Sequence, residues 1–140
     1  MDVFLRIDIN LAAMVLLGIT FGVANKRLDR QDPMNRMFLF TTIAVLFQLF
    51  FESATCLMNG RSEKWLIPIS TLLHVCLFIT GPILTYFWYS FLRKWVAPDD
   101  KVSKWQEILF RGLVVLNAVL VVASPIEKFV FFIGEDNIYH

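Results

Sequence analysis

The stretch from Trp65 to Trp95, WLIPISTLLHVCLFITGPILTYFWYSFLRKW, constrains this chain more than any other. It carries no acidic or basic residue before Arg93 and Lys94. At about 1.5 Å of rise per residue, a helix over it more than crosses the roughly 30 Å hydrocarbon core of a bilayer. The stretch also holds three features that a plain lipid anchor does not need. His74 lies well inside it, Gly81-Pro82 interrupts its middle, and the aromatic cluster Tyr86-Phe87-Trp88-Tyr89 precedes its basic end.

The rest of the chain repeats the pattern of apolar blocks separated by short charged strips, which is the pattern of a membrane protein. Of its 140 residues, 57% are hydrophobic and only 18% charged, against about a quarter charged in soluble domains. A soluble domain of this length cannot hide so much apolar surface. The blocks predict spans over 9–24, 37–58, 65–92 and 107–124, followed by a tail over 125–140. The expected fold class is therefore all-α: a transmembrane helical bundle of four spans, forming one multi-pass domain in the inner or plasma membrane. A net charge of +1 gives no argument for a nucleic-acid partner.

The first block, Asn10 to Ala24, competes with a signal peptide, because Gly22-Val23-Ala24 loosely resembles a cleavage site. Asp2 and Asp8 spoil the positive region that such a peptide needs. Gly18 and Gly22 form a G-x-x-x-G, a helix-packing surface for a neighbouring helix or for a second copy in a homodimer. Asn59-Gly60 predicts a tight turn between spans two and three, and Pro98-Asp99-Asp100 predicts a break and helix start. Pro125 should end span four. Cys56 and Cys76 belong at different depths and make poor disulfide partners.

Orientation follows from the basic residues near the membrane. The two long loops carry eight (Lys26, Arg27, Arg30, Arg36, Arg93, Lys94, Lys101 and Lys104). The opposite side carries four (Arg6, Arg61, Lys64 and Lys128). That bias places both long loops in the cytoplasm and the N-terminus outside. Trp65, Trp88, Trp95 and Trp105 all fall near the expected interfaces, as an aromatic belt requires.

Polar residues inside the spans are costly and point to candidate sites. Thr41, Gln48, Glu52, Thr55 and Asn59 share one face of span two, and Thr71, His74, Gly81, Thr85 and Tyr89 share one face of span three. Helical geometry sets Glu52 and His74 both roughly 9–12 Å below the outer surface, so a contact between them is feasible. Three readings compete for that pair. It is an interhelical hydrogen bond that fixes packing, or part of an outward-facing ligand pocket or proton-sensitive switch that also uses Gln48, or a metal site. One His and one Glu are too few ligands for a metal. Arg111 is close enough to the cytoplasmic side to snorkel or to pair with Glu107. Gly81 and Pro82 form a candidate hinge, since proline removes a backbone donor and crowds the preceding turn. Nothing in the chain supports catalysis or a cofactor: it has no Gly-rich phosphate loop, no nucleophile–base spacing and no Cys/His metal pattern.

The basic NKRLDR loop, the FQLFFES stretch with its internal acid and the closing FFIGEDNIYH, together with the N-out entry, resemble the N-terminal membrane sensor regions of bacterial GGDEF-type diguanylate cyclases. Related regions precede histidine kinases. The resemblance implies that these residues are the first part of a bundle of about seven spans, with FFIGEDNIYH as an external loop. It further implies a signal-transduction role, in which a small ligand or membrane cue regulates a cytoplasmic cyclase encoded beyond them. No GGDEF sequence is present, so no catalytic residue carries over. The alternatives are a small multi-pass transporter or channel subunit and a non-signalling membrane scaffold.

Overall fold

The computed structural model describes residues 3–61, 63–96, 104–128, 130–135 and 137–140. Four helices account for most of them: α1 (Val3–Arg27), α2 (Pro33–Met58), α3 (Ile67–Val96) and α4 (Lys104–Glu127). A single 3-10 turn, Lys64–Leu66, leads into α3. All four are long and apolar enough to cross a membrane. The chain is thus an all-α, multi-pass bundle, as the block pattern predicts. The expected Pro98-Asp99-Asp100 break lies outside the described residues.

Local chemistry explains the helix ends. Asp32 caps α2 by accepting from the Met34 N–H at 2.9 Å, and Pro33 occupies the first turn, where no backbone donor is missed. Lys26 and Arg27 close α1 beside its free carbonyls. Gly60, at φ +77°, makes the turn that follows α2. Pro125 does not end α4, which continues to Glu127. Proline there removes the N–H that would bond the Val121 carbonyl, so the last turn of α4 carries one backbone bond fewer.

The helices pack as neighbours in chain order, α1 on α2, α2 on α3 and α3 on α4. Phe38 against Phe91 and Phe40 against Phe87 fix the antiparallel register of α2 and α3. Tyr89 stacks on Phe110 at 4.4 Å between α3 and α4. The outer helices α1 and α4 leave long apolar faces uncovered, for example Leu16 and Ile19 on α1 and Val115 and Val119 on α4. Total accessible surface is 9693 Å², where a compact soluble chain of this mass has about 7,500 Å². The surplus is apolar helix surface of the kind that lipid covers.

Hydroxyl side chains in these helices bond to their own backbone. Thr41, Thr42, Ser53 and Thr71 each donate to the carbonyl four residues earlier, at 2.8–2.9 Å. That bonding hides a polar group in an apolar medium.

The densest packing lies at one end of the bundle, and the tail supplies much of it. Residues 131–135 and 137–140 pair as a tight hairpin, with Phe132 and His140 exchanging backbone bonds at 3.1 and 3.0 Å. Ser124 of α4 staples it: its Oγ accepts from the N–H groups of Val130 and Phe131 and donates to the Phe131 carbonyl, all at 2.7–2.8 Å. Asn137, at φ +57°, donates through Nδ2 to the Met58 carbonyl at 2.8 Å, satisfying an acceptor that the end of α2 leaves open. Its own carbonyl accepts from the Gly60 N–H at 2.8 Å. Leu66, Val121 and Phe131 are buried together with Ser70, Ser124 and Asn137 in this region. The expected polar tail is thus a folded cap on the end of the bundle.

Candidate functional site

The polar face of α2 meets that of α3 in a cleft of about 490 Å³, to which α1, α4 and the tail also contribute. Gln48, Glu52, His74, Gly81 and Pro82, each singled out from the sequence, all line it. Gly18 and Gly22 do not belong to it. Both are exposed on α1, and a Cβ built at either has nothing within 4 Å, so they mediate no close packing within this chain.

Glu52 and His74 do not bond to each other. The aromatic register between α2 and α3 sets Glu52 opposite residues 75–77 and His74 opposite 53–55, less than one turn apart. Each finds another partner. Glu52 forms an ion pair with Arg6 of α1, Oε1 to Nη2 at 2.9 Å. This compensates a charge that would be expensive alone at this depth. The Glu52 side chain is 27% exposed, so the pair borders the cleft instead of lying sealed beneath it.

His74 is held in place on three sides. Its Nδ1 bonds the Ser70 carbonyl one turn earlier at 2.8 Å. The carbonyl can only accept, so Nδ1 carries the hydrogen and a neutral ring keeps Nε2 as an acceptor. The ring stacks on Tyr139 with centroids 4.9 Å apart and planes 7° from parallel, and on Phe131 at 5.8 Å. Phe78, one turn further along α3, joins the same cluster. The hairpin therefore contributes a wall of the cleft through Tyr139, whose N–H is anchored on Asn59 Oδ1 at 2.9 Å.

The interruption at Pro82 has a specific partner. Proline at this position leaves the Phe78 carbonyl without the donor that a regular helix would supply. Asn117 of α4 fills the gap, with Nδ2 donating to the Phe78 oxygen at 3.0 Å. The same amide lines the cleft. Gln48 contrasts with it, since its Oε1 is buried without a hydrogen-bond partner. Unpaired acceptors of this kind are costly unless something else supplies the donor.

The sequence singles out Gln48, Glu52, His74, Gly81 and Pro82 of the cleft but not Arg6, Asn117 or Tyr139. Asn117 had a readable signal, as the single amide in an otherwise apolar fourth span. Arg6 looks like any basic residue at a membrane edge, and Tyr139 stands out only as part of the FFIGEDNIYH segment, with nothing in the sequence to set it against His74. Thr71 and Thr85, placed on the polar face of span three, bond their own helix at Ile67 and Gly81 instead. Arg111 pairs with Glu107 and meets the Tyr86 phenol, away from the polar end of the cleft. Cys56 and Cys76 are free thiols. No group of three potential metal ligands converges among the described residues. No protein-family model matches the chain, and no curated protein or solved structure is significantly similar to it.

Proposed function

We propose that the chain is a membrane-embedded sensory module, oriented with its N-terminus outside, that governs a cytoplasmic output domain of the diguanylate cyclase type. One observation carries the reading. An ion pair, an imidazole and three amides converge on a single cleft in helices built to cross a membrane, beside the proline inside α3. A purely structural bundle gains little from gathering such groups, since polar contacts between spanning helices are worth only about 1 kcal/mol each. An occupant of the cleft touches the neighbourhood of the Asn117–Phe78 bond, which joins α3 to α4. Altering that bond changes how α3 sits against its neighbours, and α3 is the helix that runs to the basic Arg93-Lys94 end. The diguanylate cyclase assignment rests on the resemblance of the NKRLDR, FQLFFES and FFIGEDNIYH segments to such sensor regions.

The test is the cellular level of cyclic di-GMP when Glu52→Gln or His74→Ala is introduced into the chromosomal reading frame that contains these residues. The expected result is a several-fold change in cyclic di-GMP at unchanged protein abundance. Altered abundance with unchanged output per molecule would favour a scaffold. Ion or solute flux in reconstituted vesicles that disappears with Glu52→Gln would favour a transporter.

A further inference from the structure

The cleft does not end at Pro82. A second cavity, of about 520 Å³ between α3 and α4, shares Gly81, Pro82 and Asn117 with it. The two differ sharply in character. Arg6, Gln48, Glu52 and His74 mark the first, whereas Phe110, Leu113 and Val114 wall the second together with Thr85, whose hydroxyl is bonded to the Gly81 carbonyl, and Tyr86, which meets Arg111. From Asn117 to Phe110, α4 makes about two turns, a groove of roughly 10 Å. That groove lies in the apolar spans of α3 and α4, where hydrocarbon and not water is the natural filling.

The polar end limits what headgroup fits. Arg6 and Glu52 already compensate each other at 2.9 Å, so an ionic headgroup has no counter-ion there. Gln48 Oε1 is buried and unpartnered, and His74 has committed only Nδ1, so two acceptors, Oε1 and Nε2, remain for an uncharged group that donates hydrogen bonds. The near-parallel rings of His74 and Tyr139 add a flat aromatic wall.

We propose that the joined cavities hold a single amphiphile, with an uncharged, ring-bearing, hydrogen-bonding headgroup in the cleft and one apolar chain along the α3/α4 groove. This is the chemistry of an isoprenoid quinol, whose phenolic hydroxyls donate to the two free acceptors. The proposal rests on the reading of the cleft as a ligand site and names the ligand class. A phospholipid fits poorly, because its phosphate needs an uncompensated cation and its two chains exceed one groove.

The experiment measures binding of decylubiquinol, and of the same benzoquinol without the decyl chain, to the chain in lipid nanodiscs under anaerobic reducing conditions, with empty nanodiscs subtracted. The tailed ligand should bind at least ten-fold more tightly. Leu113→Trp, at a half-exposed position where a larger side chain does not disturb packing, should abolish that advantage and leave the tailless ring unaffected. Gln48→Leu should weaken both, with helix content checked by circular dichroism. Equal affinities, or indifference to Leu113→Trp, would overturn the amphiphile while leaving a polar ligand site standing. Binding of neither quinol also overturns it, and the cyclic di-GMP response to Glu52→Gln then decides separately whether the cleft senses anything.

Discussion

Asn117 donates to the Phe78 carbonyl at 3.0 Å, supplying from α4 the hydrogen bond that Pro82 removes from α3. The interruption in α3 is therefore tied down, and its freedom depends on a residue of another helix. The interaction makes a double prediction. Asn117→Leu should destabilise the bundle by about 1 kcal/mol, the upper part of the range for polar contacts between spanning helices. In a Pro82→Ala background, where a backbone N–H can reach the Phe78 carbonyl, the same change should cost little. Unfolding in mixed detergent micelles, run as a double-mutant cycle, measures the coupling.

Arg6 and Glu52 should respond unequally to loss of their partner. The Arg6 side chain is 58% exposed and that of Glu52 only 27%. Without Glu52, Arg6 can extend its long side chain toward the headgroups. Without Arg6, the shorter carboxylate keeps its unfavourable position. Arg6→Gln should therefore cost about 2 kcal/mol and Glu52→Gln under about 1 kcal/mol. Unfolding of each single variant in detergent checks the order, and the reverse order would show that the pair is not the compensation described above.

Much of this architecture is legible in the sequence, and the boundary of what is legible has physical causes. Four helices follow from apolar block length, and the shared cleft of Gln48, Glu52 and His74 follows from their spacing along single helices. Partners that join different helices do not follow from periodicity. Matched depth makes a Glu52–His74 contact feasible, yet Arg6 carries a full opposite charge and is the partner that Glu52 takes. His74 is satisfied by the Ser70 carbonyl of its own helix. Nor does hydropathy distinguish a loose polar tail from the hairpin of 131–140. What fixes that hairpin is three bonds to one hydroxyl, on Ser124, and an asparagine at positive φ, Asn137.

Ser124→Ala should loosen the hairpin selectively. The change leaves the Val130 and Phe131 N–H groups and the Phe131 carbonyl without their partner, in a region where Phe131 and Ser124 are almost completely buried. Each orphaned buried group costs about 1–3 kcal/mol, and relaxation of the hairpin toward water limits the total. Hydrogen exchange of the amides over 130–140 should accelerate at least ten-fold, while those of α1 and α2 stay protected. Uniform acceleration throughout the chain would mean that the hairpin does not open as a separate unit.

Tyr139→Ala should open the cleft without unfolding it. The Tyr139 ring lies parallel to His74 and lines the cleft that also contains Cys56, whereas Cys76 lies outside the cleft lining. With the ring removed, a membrane-impermeant maleimide added from the N-terminal side should label Cys56 several-fold faster, and Cys76→Ala should not alter that rate. Tyr139→Phe keeps the stacking surface and should label at the native rate. The ring stacking, and not the phenol, then closes this end of the site. Equal labelling of the native chain and Tyr139→Ala would instead mean that the hairpin leaves the cleft open to solvent.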